Sequence, residues 1–412
     1  MPSLVTRRVF YGWWLVALTS CILAMIFLPI FQGLGAFFVA LEREFGWKRA
    51  ALAGAFSLSR AEDTVIGPLA GYFTDRYGTR RLVFIGFLIL GIGFICFALV
   101  QTIFHFYAAF IVLTLGAGFA GFLPLMGAIN KWFIRKRATA MGLAQSGVAL
   151  GGILVPLLAS AIDADWRLTC FVLAGVVWVM AFPVSKAIRN SPEEYGQLPD
   201  GDLHESEADT VLLTEPDLSA SEAVRSTAFW VISFTHALAA VVFLTLMIHA
   251  IPMIEGKGYT VVQASFIVTT FTVVGGIFQF VGGVIGDRVS KKFGIFCFVS
   301  LQALGVLGMA LADGYGALVA AAVIFGVGFG GRVPLLIAIR GDYFGREKFA
   351  TIFGLSTIPM GIIQIFGPIG AGFMYDRLGS YTMAFLILFG VNMLAAMMIL
   401  LVRPPREIAR TL

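Results

Sequence analysis

Residues 71–81 read Gly-Tyr-Phe-Thr-Asp-Arg-Tyr-Gly-Thr-Arg-Arg, a short polar and basic stretch between two long apolar runs. A related stretch, Gly-Val-Ile-Gly-Asp-Arg at 283–288 followed by Lys291 and Lys292, lies between two other apolar runs about 211 residues later. Recurrence of the same turn between similar flanking runs indicates that the chain is built from two related halves.

Two further pairs share this offset. Trp-Phe-Ile-Arg-Lys-Arg at 132–137 corresponds to Tyr-Phe-Gly-Arg-Glu-Lys at 343–348, and Pro-Leu at 124–125 corresponds to Pro-Leu at 334–335. Three coincidences in one register indicate duplication of a unit of about 211 residues.

The composition of the chain indicates whether these halves lie in water or in a lipid bilayer. The chain of 412 residues is 59% hydrophobic and 13% charged, whereas soluble domains carry about 25% charged residues. Apolar runs long enough to cross a bilayer as helices recur along the whole chain. They lie near 11–39, 49–73, 82–100, 104–129, 138–162, 167–187, 228–253, 261–286, 293–312, 316–339, 349–374 and 380–402. We predict an all-α membrane protein with twelve transmembrane helices in two pseudo-symmetric six-helix bundles.

One long polar stretch divides the chain. Residues 188–226 are rich in acidic side chains and cannot bury much apolar surface, which predicts a largely flexible cytoplasmic linker. We therefore expect an N-terminal bundle over 1–187 and a C-terminal bundle over 227–412.

Orientation follows from the basic residues. Of the 29 lysines and arginines, we assign 21 to one side of the membrane and 6 to the other, with Arg60 and Arg332 inside it. The positive-inside rule then predicts cytoplasmic termini and a multi-pass protein of the cell inner (plasma) membrane. Because the basic residues are spread over many short loops, we expect no nucleic-acid partner.

The stretch at 71–81 resembles the signature loop of the major facilitator superfamily, and the stretch at 283–288 resembles its weaker second copy. In that family the loop joins the second and third helices, and its acid and bases latch the cytoplasmic side of the bundle. The resemblance implies the fold predicted above, transport by alternating access, and a set of gating residues. These are Asp75, Arg76, Arg80, Arg81, Asp287 and Arg288.

A narrower resemblance is to the monocarboxylate porter and oxalate–formate antiporter branch. It rests on Tyr-Gly-Trp-Trp at 11–14 and on the segment 133–147, and it implies transport of small carboxylates by proton symport or anion exchange. The chain departs from the branch eight residues before Asp287, where Gln279 stands in place of the substrate-binding arginine. Glutamine hydrogen-bonds a carboxylate without neutralising it, so Gln279 is a weaker candidate ligand.

Charged residues inside a membrane are costly and therefore mark candidate sites. Arg60 and Asp63 lie on one face of the second predicted helix, and Glu62 lies nearly opposite Arg60. Either Arg60 binds an anion and one acid carries a proton, or Arg60 and Asp63 form an internal ion pair.

The second half holds three further candidates. Arg332, flanked by glycines and Pro334, either binds the substrate in place of the arginine missing at Gln279 or extends towards the cytoplasmic interface. His236 and His249 either relay protons or are packed, hydrogen-bonded side chains, and His249 is also a candidate substrate ligand.

These patterns predict a secondary active transporter of a small organic anion. We expect a monomer in the lipid bilayer that is not an enzyme, uses no cofactor or metal, and is coupled to a proton or a counter-anion. One alternative is an exporter of neutral or amphipathic compounds. The other is a membrane sensor that binds a solute without moving it, although the linker is too short and polar to be a signalling domain.

Overall fold

The computed structural model describes residues 10–201 and 218–404, which contain helices and connecting turns and no β-strand. Some side chains between 49 and 63 lie outside the described part, among them those of Arg60 and Asp63. The predicted all-α class is confirmed, and the helices form twelve spans in two halves.

The first half has six spans, and three of them are irregular. Span 1 consists of the helix Tyr11–Phe27, a π-helical turn Leu28–Gln32 and the helix Leu34–Phe45. Span 2 is Arg49–Tyr77, span 3 is Thr79–Ala98, and span 4 consists of Ile103–Ala120 and Phe122–Trp132. Span 5 begins with Arg137–Gly152 and continues into the helix Val155–Ala187, which is broken at Asp165 and continues from there as span 6.

The second half has six more regular spans. Spans 7 to 12 are Thr227–Glu255, Val261–Gly286, Lys291–Leu311, Tyr315–Phe344, Phe349–Leu378 and Thr382–Ile399.

Ten of the described helices, rather than twelve, are long and apolar enough to cross a membrane by themselves. Two features explain the difference: one span carries charged residues, and two spans share one helix. Span 2 carries Arg60, Glu62 and Asp63 near its middle. Spans 5 and 6 share the helix Val155–Ala187, whose backbone at Asp165 (φ −160°, ψ 100°) is not helical. The Asp165 carboxylate accepts a hydrogen bond from the Leu168 N–H (2.9 Å) and so begins span 6.

The first residues of the linker pack against the first half. The Asp200 carboxylate accepts hydrogen bonds from the N–H groups of Ile134, Arg135 and Lys136 (3.1, 2.9 and 3.2 Å). The Arg189 guanidinium stacks on Tyr11, 3.9 Å from the ring centre. Residues 188–201 are therefore attached to the bundle, unlike the largely flexible linker that the sequence predicts, while 202–217 lie outside the described residues.

The two halves approach each other along two pairs of helices, span 2 with span 11 and span 5 with span 8. A Cβ atom at Gly71 would lie 2.2 Å from the Ala350 carbonyl oxygen, and one at Gly283 would lie 2.5 Å from the Ala138 carbonyl oxygen. Since both neighbours are backbone atoms, only glycine permits this distance. These two glycines belong to the repeated stretches, so the duplication places one close contact in each half.

Two aspartates join the halves at the end of the molecule formed by the loops at 78, 133–136, 287–290 and 345–348, which we call the loop face. Asp75 of span 2 accepts a hydrogen bond from the Thr351 N–H (2.7 Å), in the first turn of span 11. Asp287, just after span 8, accepts hydrogen bonds from the Ala138 and Thr139 N–H groups (2.9 and 2.8 Å), in the first turn of span 5. First-turn N–H groups have no partner within their own helix, so each half completes a helix of the other.

Ion pairs reinforce this contact. The buried Arg137 guanidinium donates to Asp342 (2.7 Å), and Lys291 binds the other oxygen of the same carboxylate (2.8 Å). Arg346 donates to the Lys131 carbonyl oxygen (2.9 Å) and to Glu193 of the linker (2.9 Å). The loop face is therefore closed by contacts between the halves.

The predicted gating residues divide into two groups. The carboxylates of Asp75 and Asp287 cross between the halves, whereas the four arginines are exposed. Arg76 donates to the Tyr72 hydroxyl on its own helix (3.1 Å). The exposed arginines are Arg76, Arg80, Arg81 and Arg288.

The closed loop face generates a prediction at Asp287. Asp287→Ala removes both acceptors and leaves two partly buried N–H groups unpaired, at a cost of about 1–3 kcal/mol. Hydrogen exchange at the amides of Ala138 and Thr139, followed by mass spectrometry in detergent, should rise by roughly tenfold or more. Asp287→Asn keeps one acceptor oxygen and places an NH2 group against the second N–H, so it should retain part of the protection. The matched control is Asp313→Ala, an exposed position away from the loop face.

Asp287 also determines how closure of the loop face depends on pH. Burial raises the pKa of Asp287, against the opposing hydrogen bonds from Thr139 and Ala138 and the charge of Lys291. The closed loop face therefore binds a proton more tightly than an exposed aspartate would, so closure is favoured at low pH and loses this contribution as pH rises through the raised value. Unchanged exchange in Asp287→Ala, or opening on acidification after correction for intrinsic rates, would contradict this account.

Candidate functional site

A cavity of about 440 Å³ lies between the two halves. Spans 1, 2 and 4 line it from the first half, and spans 7, 10 and 11 line it from the second. This volume is within the range of about 300–1,000 Å³ typical of small-molecule sites. A solute in the cavity would contact both halves at once.

The cavity wall is mainly aromatic and aliphatic. Its phenylalanines are Phe27, Phe31, Phe122, Phe243, Phe329 and Phe353. Phe243 of span 7 and Phe329 of span 10 stack with their ring centres 4.0 Å apart. The polar lining side chains are Thr64, Thr114, His236, Arg332, Thr357 and Gln364. Among the described lining residues there is a guanidinium and no carboxylate.

Arg332 contributes the positive charge of this wall. Its side chain is 2% exposed, and it donates from Nε to the Gln302 side-chain oxygen and from Nη2 to the Ala239 carbonyl oxygen (3.0 Å). Gln302 in turn donates to the same Ala239 carbonyl (3.1 Å). Both acceptors are neutral, and within the described part of the chain no carboxylate forms an ion pair with Arg332. Its charge is therefore oriented by the protein without being neutralised.

Two glycines next to Arg332 allow span 10 to pack closely against its neighbours. A Cβ atom at Gly330 would lie 2.2 Å from the Gly275 carbonyl oxygen of span 8, and one at Gly331 would lie 2.3 Å from the Phe298 ring of span 9. Span 10 therefore lies directly against both neighbours. This contact buries Arg332 within the bundle, unlike the alternative in which it extends to the cytoplasmic interface.

His236 lines the cavity beside a second buried guanidinium. Nη2 of Arg340 lies 3.4 Å from Nδ1 of His236, and both side chains lie against the Phe353 ring. Arg340 also donates from Nε to the Ser356 hydroxyl (3.1 Å) and from Nη1 to the Leu336 carbonyl. Like Arg332, it forms no ion pair with a carboxylate of the described residues.

Glu62 lies behind the wall of the first half. The Thr114 hydroxyl of span 4 donates to its carboxylate, and Thr114 itself lines the cavity. The Thr114 side chain therefore lies between the Glu62 carboxylate and the cavity. Its predicted companions Arg60 and Asp63 have side chains outside the described residues, so their proposed ion pair stays a prediction.

Two sequence candidates lie elsewhere. Gln279 is not among the residues that line the cavity, and its carbonyl oxygen is the atom against which Gly142 of span 5 packs. His249 bonds Tyr381 through Nδ1 (3.2 Å) and the Pro368 carbonyl through Nε2 (3.0 Å), outside the cavity lining. In this conformation the His249 side chain connects span 7 to span 11 and to the start of span 12, and the Gln279 backbone packs against span 5.

Sequence reasoning missed Arg340, Gln302 and Thr114. The tenth apolar run ends near 339, which places Arg340 in a cytoplasmic segment, whereas span 10 extends to Phe344 and buries Arg340 to 1% exposure. The spacing of Arg332, Leu336 and Arg340, four residues apart, puts them on one helical face and was the available signal. Nothing in the sequence singles out Gln302 or Thr114.

Comparison with known proteins gives the family. A sequence model of the Major Facilitator Superfamily matches residues 13–268 and 250–412. Monocarboxylate transporter 11 of Mus musculus is 25% identical over 391 residues, which cover 91% of this chain and 84% of that protein. Monocarboxylate transporter 12 of Mus musculus is 24% identical over 426 residues, covering 97% and 87%. Monocarboxylate transporter 13 of Bos taurus is 22% identical over 400 residues, covering 95% and 90%.

Solved structures agree on the fold. The proton:xylose symporter XylE has a TM-score of 0.77 at 12% identity, covering 97% of this chain and 99% of that one. The E. coli fucose:proton symporter FucP has a TM-score of 0.68 at 16% identity, covering 95% and 99%. The predicted fold and resemblance are confirmed: the chain belongs to the Major Facilitator Superfamily, a family of multi-pass membrane transporters rather than enzymes, and it is similar to monocarboxylate transporters.

Proposed function

We propose that this protein is a secondary active transporter that moves a small organic anion by alternating access, with proton symport or anion exchange. The observation that carries the proposal is Arg332, which lines a cavity shared by both halves and whose guanidinium has no carboxylate partner among the described residues. An unpaired charge inside a membrane protein is costly, and an anionic ligand would neutralise it.

Monocarboxylates are the substrate class that best fits this wall. Arg332 is the one cation among the described lining residues, and it matches one carboxylate because a guanidinium offers five N–H donors in a planar fork. Arg332 uses Nε and Nη2 for the protein and makes no hydrogen bond from Nη1 to a described residue. The phenylalanines of the wall suit an apolar body attached to that carboxylate. The names of the relatives in Mus musculus and Bos taurus support the same class.

Alternating access would use the loop face as one gate. If the positive-inside orientation holds, the loop face is cytoplasmic, and the described conformation is closed towards the cytoplasm. Release of the Asp75 and Asp287 contacts would let the halves rock apart there. We further propose that the termini are cytoplasmic, that the protein is a monomer of the cell inner (plasma) membrane, and that the exposed gating arginines act in the open conformation.

For the coupling ion we propose a proton carried by Glu62. Its carboxylate accepts a hydrogen bond from Thr114, and Thr114 lines the cavity. Protonation of Glu62 would therefore change the electrostatic potential at a bound anion. Asp63 remains a second acidic candidate from its position in the sequence.

The aromatic wall also favours a second candidate function, export of neutral amphipathic compounds. Six phenylalanines line the cavity, and such compounds need no cation. Resistance of cells expressing the protein to unrelated amphipathic compounds, together with no saturable carboxylate uptake, would support export and contradict the leading proposal.

Arg332→Gln tests the substrate class. Loss of the guanidinium should lower the apparent affinity for a monocarboxylate in proteoliposomes by about 100-fold, because a charge-assisted hydrogen bond is lost. Arg332→Lys should recover part of it. The exposed Arg377→Gln is the matched control.

A stability measurement separates misfolding from lost binding. Arg332→Gln removes a buried charge without a carboxylate partner, so the melting temperature of the substrate-free protein should hold or rise. Unchanged uptake in Arg332→Gln would remove this residue from the site.

Glu62→Gln tests the coupling. The neutral side chain still accepts a hydrogen bond from Thr114 but cannot release a proton, so uptake driven by a pH gradient should be lost while exchange of internal for external anion continues. The two assays are run on the same proteoliposomes, with Glu255→Gln, an exposed position at the end of span 7, as the control. Full pH-driven uptake in Glu62→Gln would exclude Glu62 as the carrier.

A further inference from the structure

His236 has a different environment on its two ring nitrogens. Nδ1 lies 3.4 Å from Nη2 of Arg340, inside the second half. The ring lines the cavity, and Nε2 makes no hydrogen bond to a described residue. The histidine thus separates a buried cation from the space in which a solute would bind.

Arg340 is fixed by its other contacts. Its side chain is 1% exposed, and Nε and Nη1 are engaged by Ser356 and by the Leu336 carbonyl. Its guanidinium carbon lies 4.7 Å from the centre of the Phe353 ring, on which His236 also stacks. The remaining donor, Nη2, is therefore held next to the histidine.

This geometry decides where the histidine carries its proton. A guanidinium has donors only, so the nitrogen beside it must present a lone pair. The single proton of a neutral imidazole is then on Nε2. A second proton on Nδ1 would place two N–H groups head to head and add a positive charge beside Arg340. Arg332, eight residues earlier on span 10, is a further cation at this wall, and the carboxylate of Glu62 belongs to the opposite half.

We propose that Arg340 holds His236 as the neutral Nε2–H tautomer, so that His236 is a fixed hydrogen-bond donor to the transported anion and carries no proton through the cycle. The assignment to substrate binding rests on the function proposed above, whereas the assignment of the tautomer does not. Arg332 would then supply the charge of the site and His236 a neutral donor. This role differs from the proton coupling that the sequence position of His236 suggests.

Nitrogen-15 NMR tests the tautomer without transport. The chain has four histidines, and a variant with His105, His204 and His249 changed to Gln leaves His236 as the single labelled ring. In nanodiscs, the two ring nitrogens should show the neutral Nε2–H pattern throughout pH 5.5–8. The exposed His105, retained in a companion variant, is the reference for a ring that water reaches. An imidazolium signal in this range, or the Nδ1–H tautomer, would overturn the proposal.

Arg340 provides the complementary variant. Arg340→Met removes the donors at Nδ1, so His236 should become a mixture of tautomers in the same spectra. Arg340→Lys keeps a charged donor beside Nδ1 and should retain the Nε2–H pattern, so it is the matched control. An unchanged Nε2–H pattern in the folded Met variant would show that Arg340 does not set the tautomer.

Transport kinetics then test the donor role. His236→Phe should raise KM for a monocarboxylate by about 10- to 100-fold, since one hydrogen bond to a charged group is lost, with Vmax and the pH profile retained. His236→Gln keeps an N–H group near the position of Nε2 and should rescue KM, and His105→Gln is the control. Loss of pH-driven uptake in both His236 variants would identify a proton carrier instead. If the wild type moves no carboxylate while the spectra show the Nε2–H ring, the proposed function fails and the tautomer assignment stands.

Discussion

A guanidinium inside a lipid-embedded bundle constrains everything around it. Arg332 and Arg340 cannot reach water along the lipid-facing surface, so neutral acceptors must hold them: Gln302 and Ala239 for the first, Ser356 and Leu336 for the second. Desolvation of an unmatched charge opposes folding, and such residues persist where function requires them. Among the described residues, Arg332 in the cavity wall and Arg340 behind it lack a carboxylate partner, and their positive charge supports the proposed anionic substrate.

The contact between the halves obeys a second constraint. First-turn N–H groups of spans 5 and 11 lack partners inside their helices, and the repeated aspartates supply them from the opposite half. Because each aspartate belongs to one copy of the duplicated unit, closure of the loop face is symmetric. Such a contact is suited to opening, since water can replace a carboxylate at a helix N-terminus when the halves separate. In the proposed alternating-access cycle, the cavity would be the binding site between the halves and the loop face a reversible closure at one end.

Hydropathy and the repeat were sufficient to predict the helices, because lipid permits few alternatives to a helix. The family was predicted from the resemblance of the stretches at 71–81 and 283–288 to a known signature loop. The site was less predictable, for a reason visible in span 10. Hydropathy places the end of a span where charge begins, so it assigned Arg340 to a loop although the helix continues to Phe344 around a buried charge. His249 and Gln279 show the converse limit, because a polar residue in a span identifies neither the neighbour it bonds nor the side of the helix that faces the cavity. Those facts depend on packing between helices distant in sequence.

The most direct test of the central claim is a cryo-EM structure of the purified protein in nanodiscs at a saturating concentration of a monocarboxylate. The account predicts density for the anion in the cavity between the halves, with its carboxylate against the Arg332 guanidinium and no protein carboxylate bound to that arginine. Density for the anion elsewhere with the cavity empty, or an acidic side chain paired with Arg332 in its place, would contradict it.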